Sequence, residues 1–563
     1  MKNLLIILAL IATFSPIMAA NRSVNTENDG SSITRMAAEK STKTKSVEGS
    51  IKLRDAERTM LNVKVDGEPV KVTRYTGCYL SRPNRPEDQK INIYIPGNAT
   101  KQSPIMFIVN NSGWRMNDFP TGTVRDGGDY DGTSSKIGVA LKKGWVIVSY
   151  GARSRGNGAT VEGEYLGHSP STMTDTKAAI RYLRFNRKAL PAGDTERIVI
   201  TGTSGGGALS TVIAASGNNK DFLPSLYEVG AAGVTRNPDG TFSSEEGIGD
   251  NVFAVVSYCP ITDLGHADAA YEWLYKDVRK ALYLAGKMNY PFADEASINK
   301  ASDYLSNIYA EYIDTLGLKD ENGEALTSTN LSAFIERLMR HEIDLTLGDI
   351  GAERMAADVE QEIRRRGPMG GGQNAGAAQH RENNGWIRFN SDGSYDYDLQ
   401  KHLYYLALYT ALKPAPSFSN IGLYGIQMNE DNLFGARDEQ YCPFNPYSWD
   451  NDARGNKVGK DDTGMTWEEY MATDAGKALA LQAKMTCAMD YIIENESDTA
   501  PHWYVRHGMD DRDTSFAVEA TLFASIMNSP RVKSHNVGFS WLKPHSGDYD
   551  IPEAWSWLES ILP

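Results

Sequence analysis

A serine-bearing turn near the middle of the chain places the strongest constraint on how this sequence can fold. The β-branched run 198–200 leads into the turn Gly-Thr-Ser-Gly-Gly at 202–206, and small apolar residues follow from Ala208. A serine between a strand and a helix in such a turn is held in strained backbone geometry with its hydroxyl exposed, and the glycines let the turn close. Such patterns also arise by chance, so the interpretation of Ser204 as a nucleophile depends on its partners.

The partners expected for a nucleophilic serine are an acid and a histidine, which follow it in that order on loops after later strands. The strand-like run 502–506 leads into a loop that contains Asp511, and a second run at 537–541 leads into a loop that contains His545. A neutral imidazole takes the proton of the serine hydroxyl, while the carboxylate holds the tautomer of that imidazole. The order and spacing predict a triad of Ser204, Asp511 and His545.

Other residues compete for two of these roles. Asp510 and Asp513 lie in the same loop as Asp511, and an aspartate in a turn is often only a turn former. His507 begins this loop and is expected to shape it, and His535 is expected in a polar turn. The histidines that lie upstream of the acid, in the wrong order for a base, are His168, His266, His341, His380, His402 and His502.

An oxyanion hole needs two amide donors, one from the residue after the nucleophile and one from a loop after an early strand. Gly205 is expected to supply the first amide. The apolar strand predicted at 105–110 leads into the loop Asn-Ser-Gly-Trp at 111–114, and we expect the second amide at Ser112, to within one residue. An ordinary polar β-turn is the alternative for this loop.

Composition and charge restrict the function classes. The chain has 563 residues, which exceeds one ordinary domain and predicts a core fold with a large insertion. Hydrophobic residues make up 41% and charged residues 23% of the sequence, as in soluble globular proteins. The net charge of −14 argues against nucleic-acid and anionic-membrane partners, because these require basic surfaces.

The N-terminus has the pattern of a secretory signal peptide over residues 1–20. An apolar run at 4–12 ends in small residues, with cleavage expected near Ala19 or Ala20, and it is too short to anchor the chain permanently in a membrane. This segment has no cysteine, which argues against lipid attachment. The polar stretch 21–46 is predicted to be a disordered leader. These features predict a secreted or periplasmic protein.

The four cysteines are far apart in the sequence and show no metal-binding spacing. In an exported protein they form one or two disulfides or remain isolated buried thiols. They are Cys78, Cys259, Cys442 and Cys487.

Alternating strand-like and helical segments predict an α/β fold with a mainly parallel, doubly wound sheet. The core is predicted to be split into 47–263 and 475–563, and the intervening residues 264–474 are mostly helical and charged, which predicts a lid or insertion domain. Strands are expected in the first core segment at 91–95, 105–110, 145–150, 197–201 and 252–258. Helices are expected at 175–186, 475–493, 516–527 and 552–562, and a low-complexity connecting loop is expected at 364–376.

Several stretches together resemble the bacterial tannase branch of the tannase and feruloyl esterase family. They are TDTKAAIRYL at 174–183, GTSGGG at 202–207, CPITDLGHADAAYEW at 259–273, NEDNLFG at 429–435, RHGMDDRDTS at 506–515 and PHSGDYD at 544–550. The resemblance covers most of the chain after residue 46. It implies an α/β-hydrolase fold with a large lid and cleavage of aryl esters, notably galloyl esters, without a metal or cofactor. It carries the triad over to Ser204, Asp511 and His545.

The resemblance also implies residues that bind the acyl group. An aspartate two positions after the triad acid, here Asp513, binds hydroxyls of the galloyl ring in this family. A lysine and an acidic residue of the lid do the same, and the nearest matches are Lys413 with Asp431 or Glu430. The chain departs from the fungal pattern, in which cysteines flank the serine and the histidine, because Thr203 and Ser546 stand in those places.

These observations predict an exported serine ester hydrolase that acts on a small-molecule or carbohydrate-linked ester. Galloyl esters are the leading substrate class, and feruloyl or other carbohydrate-linked acyl esters are the alternative. A secreted serine peptidase uses the same fold and triad and forms a second class. A binding protein of this fold that has lost catalysis forms a third.

Overall fold

The computed structural model describes residues 50–285, 295–364, 384–409, 412–419, 430–452, 455 and 457–562. The expected signal peptide at 1–20, the expected leader at 21–46 and all but the first residue of the loop at 364–376 lie outside the described residues. None of the helices within these ranges is both long and apolar enough to cross a membrane.

The described residues form fourteen strands. They are β1 (Glu57–Val65), β2 (Glu68–Cys78), β3 (Lys90–Pro96), β4 (Ile105–Val109), β5 (Asp129–Tyr130), β6 (Val146–Tyr150), β7 (Ile198–Thr203), β8 (Val234–Arg236), β9 (Phe242–Ser244), β10 (Ala254–Tyr258), β11 (Ile387–Phe389), β12 (Tyr395–Tyr397), β13 (His502–Gly508) and β14 (Ser534–Ser540).

Ten of these strands form one central sheet in the order β14-β13-β10-β7-β4-β6-β3-β2-β1-β5. The pairings from β6 through β4, β7, β10 and β13 to β14 are parallel, and β3 pairs with both β6 and β2 in antiparallel register. Every residue of β4, β6 and β10 is buried, as expected for parallel strands covered on both faces. The second half of β1 instead alternates between buried and exposed residues, so one of its faces meets solvent.

Helices cover the sheet and build the region between the two core segments. They are α1 (Lys136–Lys142), α2 (Ser171–Phe185), α3 (Gly205–Ala215), α4 (Leu223–Glu228), α5 (Leu264–Leu284), α6 (Glu295–Thr315), α7 (Leu331–Ile350), α8 (Ala352–Arg364), α9 (Leu399–Tyr409), α10 (Pro446–Asn451), α11 (Lys460–Thr463), α12 (Trp467–Ala472), α13 (Asp474–Lys484), α14 (Ala488–Glu494), α15 (Phe516–Asn528) and α16 (Ile551–Ile561). Short 3-10 turns lie at Leu53–Asp55, Ser112–Trp114, Lys220–Phe222 and Glu430–Leu433.

One hydrophobic core joins the sheet to the helices that follow β10. It contains Ile200 of β7 and Val255 of β10 together with Leu274 of α5, Leu305 of α6 and Phe334 of α7. The expected fold class, an α/β-hydrolase fold with a mainly parallel sheet, agrees with this topology.

Three local expectations were wrong. The single helix expected at 475–493 is two helices, α13 and α14, because Thr262 accepts the amide of Ala488 and donates to the carbonyl of Thr486, which interrupts the helix there. His535 lies in β14 and not in a turn, since that strand starts at Ser534. His507 lies in β13, which extends to Gly508, and does not begin the loop. The antiparallel pair β1 and β2, which the sequence did not indicate, extends the sheet further.

Candidate active site

The serine of the turn sits where β7 ends and α3 begins. Ser204 has φ 61° and ψ −127°, a backbone conformation that residues with side chains rarely adopt. Its amide donates to the carbonyl of Tyr258 at the end of β10 over 2.9 Å, which fixes the turn to the neighbouring strand. The strained turn expected from the sequence is therefore present, and a backbone hydrogen bond stabilises it.

The glycines of the turn are required by close packing. A Cβ at Gly202 would overlap the carbonyl of Gly206, and a Cβ at Gly205 would overlap the backbone amide of Trp114. A side chain at either position would therefore displace α3 or the loop 111–114.

The three side chains expected to form a triad meet at one end of the parallel strands. Nε2 of His545 lies 2.8 Å from Oγ of Ser204, and Nδ1 of His545 lies 2.6 Å from Oδ2 of Asp511. Asp511 follows β13 and His545 follows β14, so adjacent parallel strands deliver the acid and the base to the same edge as the serine. This arrangement allows proton transfer from the serine hydroxyl to the imidazole.

Backbone contacts select among the aspartates of the acid loop. The carboxylate of Asp511 faces His545, whereas Asp513 contacts Asp511 through its backbone, donating its amide to Oδ1 over 2.8 Å. Asp510 donates its amide to the carbonyl of Lys543 over 2.9 Å, which joins the acid loop to the histidine loop. Of the three aspartates, Asp511 has the geometry of a triad acid.

The charges in this group shift the pKa values in the direction that a triad needs. Burial alone lowers the pKa of His545, but the carboxylate of Asp511 and its hydrogen bond raise it well above its ordinary value. Burial alone raises the pKa of Asp511, but the charges of His545 and His507 lower it below its usual range. Asp511 is thus held as the carboxylate that stabilises an imidazolium at His545.

The loop expected to supply the second oxyanion amide packs against Gly205. Trp114 donates its amide to Asn111 over 2.9 Å and its indole Nε1 to the carbonyl of Ile261 over 2.9 Å, which anchors the loop to the segment after β10. Gly113 has φ 57°, a left-handed conformation suited to glycine, and Ser112 next to it is exposed. The structure therefore places the Ser112–Gly113 segment beside the residue after the nucleophile.

Two of the candidate acyl-binding residues, Asp513 and Glu430, lie within electrostatic range of a third, Lys413. Burial lowers the pKa of the Lys413 amine, and the charges of Asp513 and Glu430 oppose this by raising it. The amine also lies 3.9 Å from the centre of the Phe418 ring, a cation–π contact. Asp513 is partly exposed and pairs with Arg512, its Oδ1 lying 2.9 Å from Nη1.

The two acidic candidates of the insertion have different surroundings. Glu430 lies 3.2 Å from Nη2 of Arg155, whose Nε donates to the carbonyl of Gly113 over 2.6 Å. Asp431 is buried, and its backbone carbonyl accepts the amides of Phe434 and Cys442. The charge of Glu430 acts on Lys413, and Arg155 links its side chain to the loop 111–114.

Sequence reasoning missed two arginines at this site. Arg512 stands between the two aspartates that the sequence singled out, so its position was a usable signal. Arg155 carried no such signal, because it follows β6 and reaches Glu430 across 275 positions of sequence.

A metal ion bound at this site would compete with the contacts among Ser204, His545 and Asp511. Within the described ranges, two sets bring ligand atoms within 4.8 Å of one another, and both include Asp511. They are Cys259 with His507 and Asp511, and Asp511 with Asp513 and His545. Oδ2 of Asp511 and Nδ1 of His545 are already engaged with each other.

Cys259, Cys442 and Cys487 are buried free thiols, which agrees with the isolated-thiol alternative for these three.

Comparisons with known proteins give relatives of the same architecture. Residues 91–312 match the family model described as BD-FAE. The tannase of Fusobacterium nucleatum is 25% identical with a TM-score of 0.68, and the match covers 91% of this chain and 100% of that chain. The tannin acyl hydrolase of Lactobacillus plantarum is 25% identical with a TM-score of 0.66, covering 90% and 97%. Comparison with curated proteins gives no match.

A further solved structure, a tannin acyl hydrolase in complex with ethyl gallate, is 26% identical with a TM-score of 0.65, and the match covers 90% of this chain and 97% of that chain. These matches extend over nearly the whole length of the relatives and include the sheet and the region between the core segments. The resemblance expected from the sequence motifs is confirmed. The chain has an α/β-hydrolase fold similar to that of bacterial tannases, and these relatives indicate a carboxylic ester hydrolase.

Proposed function

We propose that the chain is a serine ester hydrolase whose nucleophile is Ser204. The observation that carries this proposal is the unbroken contact from Ser204 through His545 to Asp511. Oγ of Ser204 attacks the ester carbonyl carbon while Nε2 of His545 takes its proton, and the amides of Gly205 and of Ser112 or its neighbour stabilise the oxyanion. His545 returns the proton to the departing alcohol. Water activated by the same imidazole then hydrolyses the acyl-enzyme.

The proposed substrates are aryl esters with adjacent ring hydroxyls, of the galloyl type. The charges of two carboxylates, Asp513 and Glu430, act on the amine of Lys413, and the three groups would supply donors and acceptors for such hydroxyls. Related structures hold ethyl gallate and 3,4-dihydroxybenzoate, which supports the same chemistry here. Analogues without the hydroxyls would leave these polar groups unpaired and be hydrolysed more slowly.

Rates on four substrate types test this proposal in one series. They are methyl gallate, methyl ferulate, a simple acetyl ester and a peptide amide. We expect kcat/KM for methyl gallate to exceed that for methyl ferulate by about tenfold or more, because the ferulate ring lacks the adjacent hydroxyls. Equal rates on the two aryl esters would favour the feruloyl or broader acyl esterase. Preferred cleavage of the amide would favour the peptidase.

The covalent step has its own test. A reaction with methyl gallate that is quenched in acid should yield protein carrying one galloyl group, on the peptide that contains Ser204. An adduct on any other residue, or none under conditions in which an acyl-enzyme accumulates for a control serine esterase, would contradict the assignment of the nucleophile.

We also propose domain boundaries and an export signal for this chain. Residues 47–263 and 475–563 form the catalytic core, 264–474 form a lid that sets acyl selectivity, and 1–20 are a signal peptide that leaves the leader 21–46 on the mature chain. Expression of the full chain with export should give a mature protein that begins at Ala20 or Asn21, as read by N-terminal sequencing. A chain that retains Met1 in the exported fraction would contradict the signal peptide.

A further inference from the structure

A second histidine lies behind the triad acid and has no part in the reaction scheme. His507, near the end of β13, is fully buried, and its Nε2 lies 3.5 Å from Oδ2 of Asp511, the oxygen that also contacts His545. Its Nδ1 lies 3.2 Å from Oε1 of Glu519 on α15, which is also fully buried. A line of successive side-chain contacts therefore runs from the core to the nucleophile. Its members, in order, are Glu519, His507, Asp511, His545 and Ser204.

Burial of His507 together with Glu519 costs free energy, so packing alone does not account for this pair. The ring of His507 meets the edges or faces of Phe516 and Phe539, with centroid distances of 5.6 and 5.9 Å. Within the described residues neither ring nitrogen of His507 and neither oxygen of Glu519 makes a well-aligned hydrogen bond, although Nδ1 and Oε1 lie within hydrogen-bond distance of each other. An imidazole that faces a carboxylate on each nitrogen interacts favourably with both when it carries two protons.

Other ionisable groups lie near this line, among them Asp513, whose carboxylate lies within 4.8 Å of the ligand atoms of Asp511 and His545. The thiol of Cys259 lies within 4.8 Å of the ligand atoms of both His507 and Asp511. Tyr275 on α5 and the Lys413 amine interact electrostatically with Asp511. Burial alone lowers the pKa of His507, but the charges of Asp511 and Glu519 raise it above its ordinary value.

We propose that His507, kept protonated by Glu519, is a positioning residue that sets the pH at which His545 becomes available as a base. A cation against Oδ2 of Asp511 balances part of the carboxylate charge. Without that cation, Asp511 would hold the proton on His545 more strongly, and the imidazole would remain protonated to a higher pH. This inference rests on the proposed roles of Asp511 and His545 in ester hydrolysis.

The test is the pH dependence of kcat/KM for a simple acetyl ester. The acidic limb is the low-pH side of this profile, where kcat/KM falls as His545 becomes protonated. His507→Gln should move the acidic limb to higher pH by about one unit, and the plateau value of kcat/KM should stay within the same order of magnitude as in wild type. Glu519→Gln should move the limb in the same direction, because His507 then loses its proton. His502→Gln, the same change at the start of the same strand, should leave the limb in place, since His502 contacts Ser534 and not the triad. A folded His507→Gln protein whose limb coincides with that of wild type overturns the proposal.

Two further measurements test the proposal without the single variant His507→Gln. If His507→Gln does not fold, the double variant His507→Phe with Glu519→Leu replaces the pair by apolar side chains and should still move the limb upward; an unmoved limb overturns the proposal. In wild type, the ¹⁵N shifts assigned to His507 should show both ring nitrogens protonated at neutral pH, and a singly protonated ring also overturns it. This NMR result does not depend on activity. A wild-type enzyme that hydrolyses no ester would instead reject the proposed function.

Discussion

The proposed triad and the proposed acyl-binding group, which consists of Lys413, Asp513 and Glu430, are held by different kinds of contact. Ser204 and the loop of Asp511 are fixed by backbone hydrogen bonds, from the Ser204 amide to Tyr258 and from the Asp510 amide to Lys543. The loop that carries Lys413 is instead contacted by side chains of α5, because the hydroxyl of Tyr271 accepts the amide of Lys413 over 3.2 Å and Asp268 accepts the amides of Phe418 and Ser419 over 2.6 and 3.1 Å. Glu430 is held in a similar way, by its ion pair with Arg155.

This difference separates the chemistry from the selectivity. Strand ends and close-packed glycines leave the triad with one geometry, so a change there should affect every ester. The candidate acyl-binding residues depend on side-chain contacts between distant parts of the chain, so a change there should affect one class of ester and spare the rest. The variants below test this separation, and each compares a galloyl ester with a simple acetyl ester.

Removal of the nucleophile or the base should have the largest effect. Ser204→Ala and His545→Ala should each lower kcat by about three orders of magnitude or more on both esters, as is typical of triad members. The fold should persist, since neither change introduces bulk, and circular dichroism and thermal unfolding check this. Near-wild-type rates in either purified variant would contradict the triad.

The two aspartates of the acid loop should differ in the pattern of their effects. Asp511→Asn should lower kcat on both esters by about three to four orders of magnitude, because the amide favours the wrong imidazole tautomer. Asp513→Asn should lower kcat/KM for the galloyl ester and leave the acetyl ester within a few-fold, because it removes an acceptor for ring hydroxyls. If Asp513→Asn affects both esters equally and Asp511→Asn only one, the two roles are reversed.

The same contrast explains how far the sequence could be interpreted. The serine-bearing turn at 202–206, the parallel strands and the order of serine, acid and histidine are local patterns. The structure has strands at each position where the core was expected to have them. Lys413 and Glu430 have no local pattern, and the family resemblance left Glu430 and Asp431 as alternatives. The ion pair of Glu430 with Arg155 joins residues 275 positions apart, and such pairs cannot be deduced from one sequence.

Tertiary contacts also account for the local errors. The break between α13 and α14 depends on Thr262, which lies more than 200 positions earlier in the chain, so the helical pattern of 475–493 gave no sign of it. His507 and Glu519 are likewise unremarkable as a pair in the sequence. Only the placement of β13 against α15 brings them together behind Asp511.

Removal of the Lys413 amine should have a smaller and selective effect. Lys413→Met keeps the length of the side chain and removes its charge, so it should lower kcat/KM for methyl gallate by about tenfold to a hundredfold through lost hydrogen bonds. The acetyl ester should change by no more than a few-fold. Lys401→Met on α9 is a matched control, because that lysine is exposed and pairs only weakly with Asp398. Equal losses on both esters would place Lys413 outside the acyl-binding group.

The smallest expected effect is a loss of selectivity at acidic pH through Asp268. Burial raises the pKa of this carboxyl to about 6, while the amides it accepts oppose the shift. Below that pH it becomes protonated and loses acceptor strength for Phe418 and Ser419, so the loop that carries Lys413 should loosen. The ratio of kcat/KM for methyl gallate to that for the acetyl ester should therefore fall a few-fold from pH 7.5 to 5, and the shared dependence on His545 cancels in this ratio.

Global unfolding would not explain such a fall. A carboxyl whose folded pKa lies above its unfolded value binds more protons in the folded state, so its contribution to the free energy of unfolding is larger at low pH and decreases as pH rises from about 4 to about 6. Asp268→Asn does not titrate, so its ratio should be low at every pH in this range and no longer fall. A ratio that falls equally in wild type and in Asp268→Asn would assign the pH dependence to another group and leave the loop independent of Asp268.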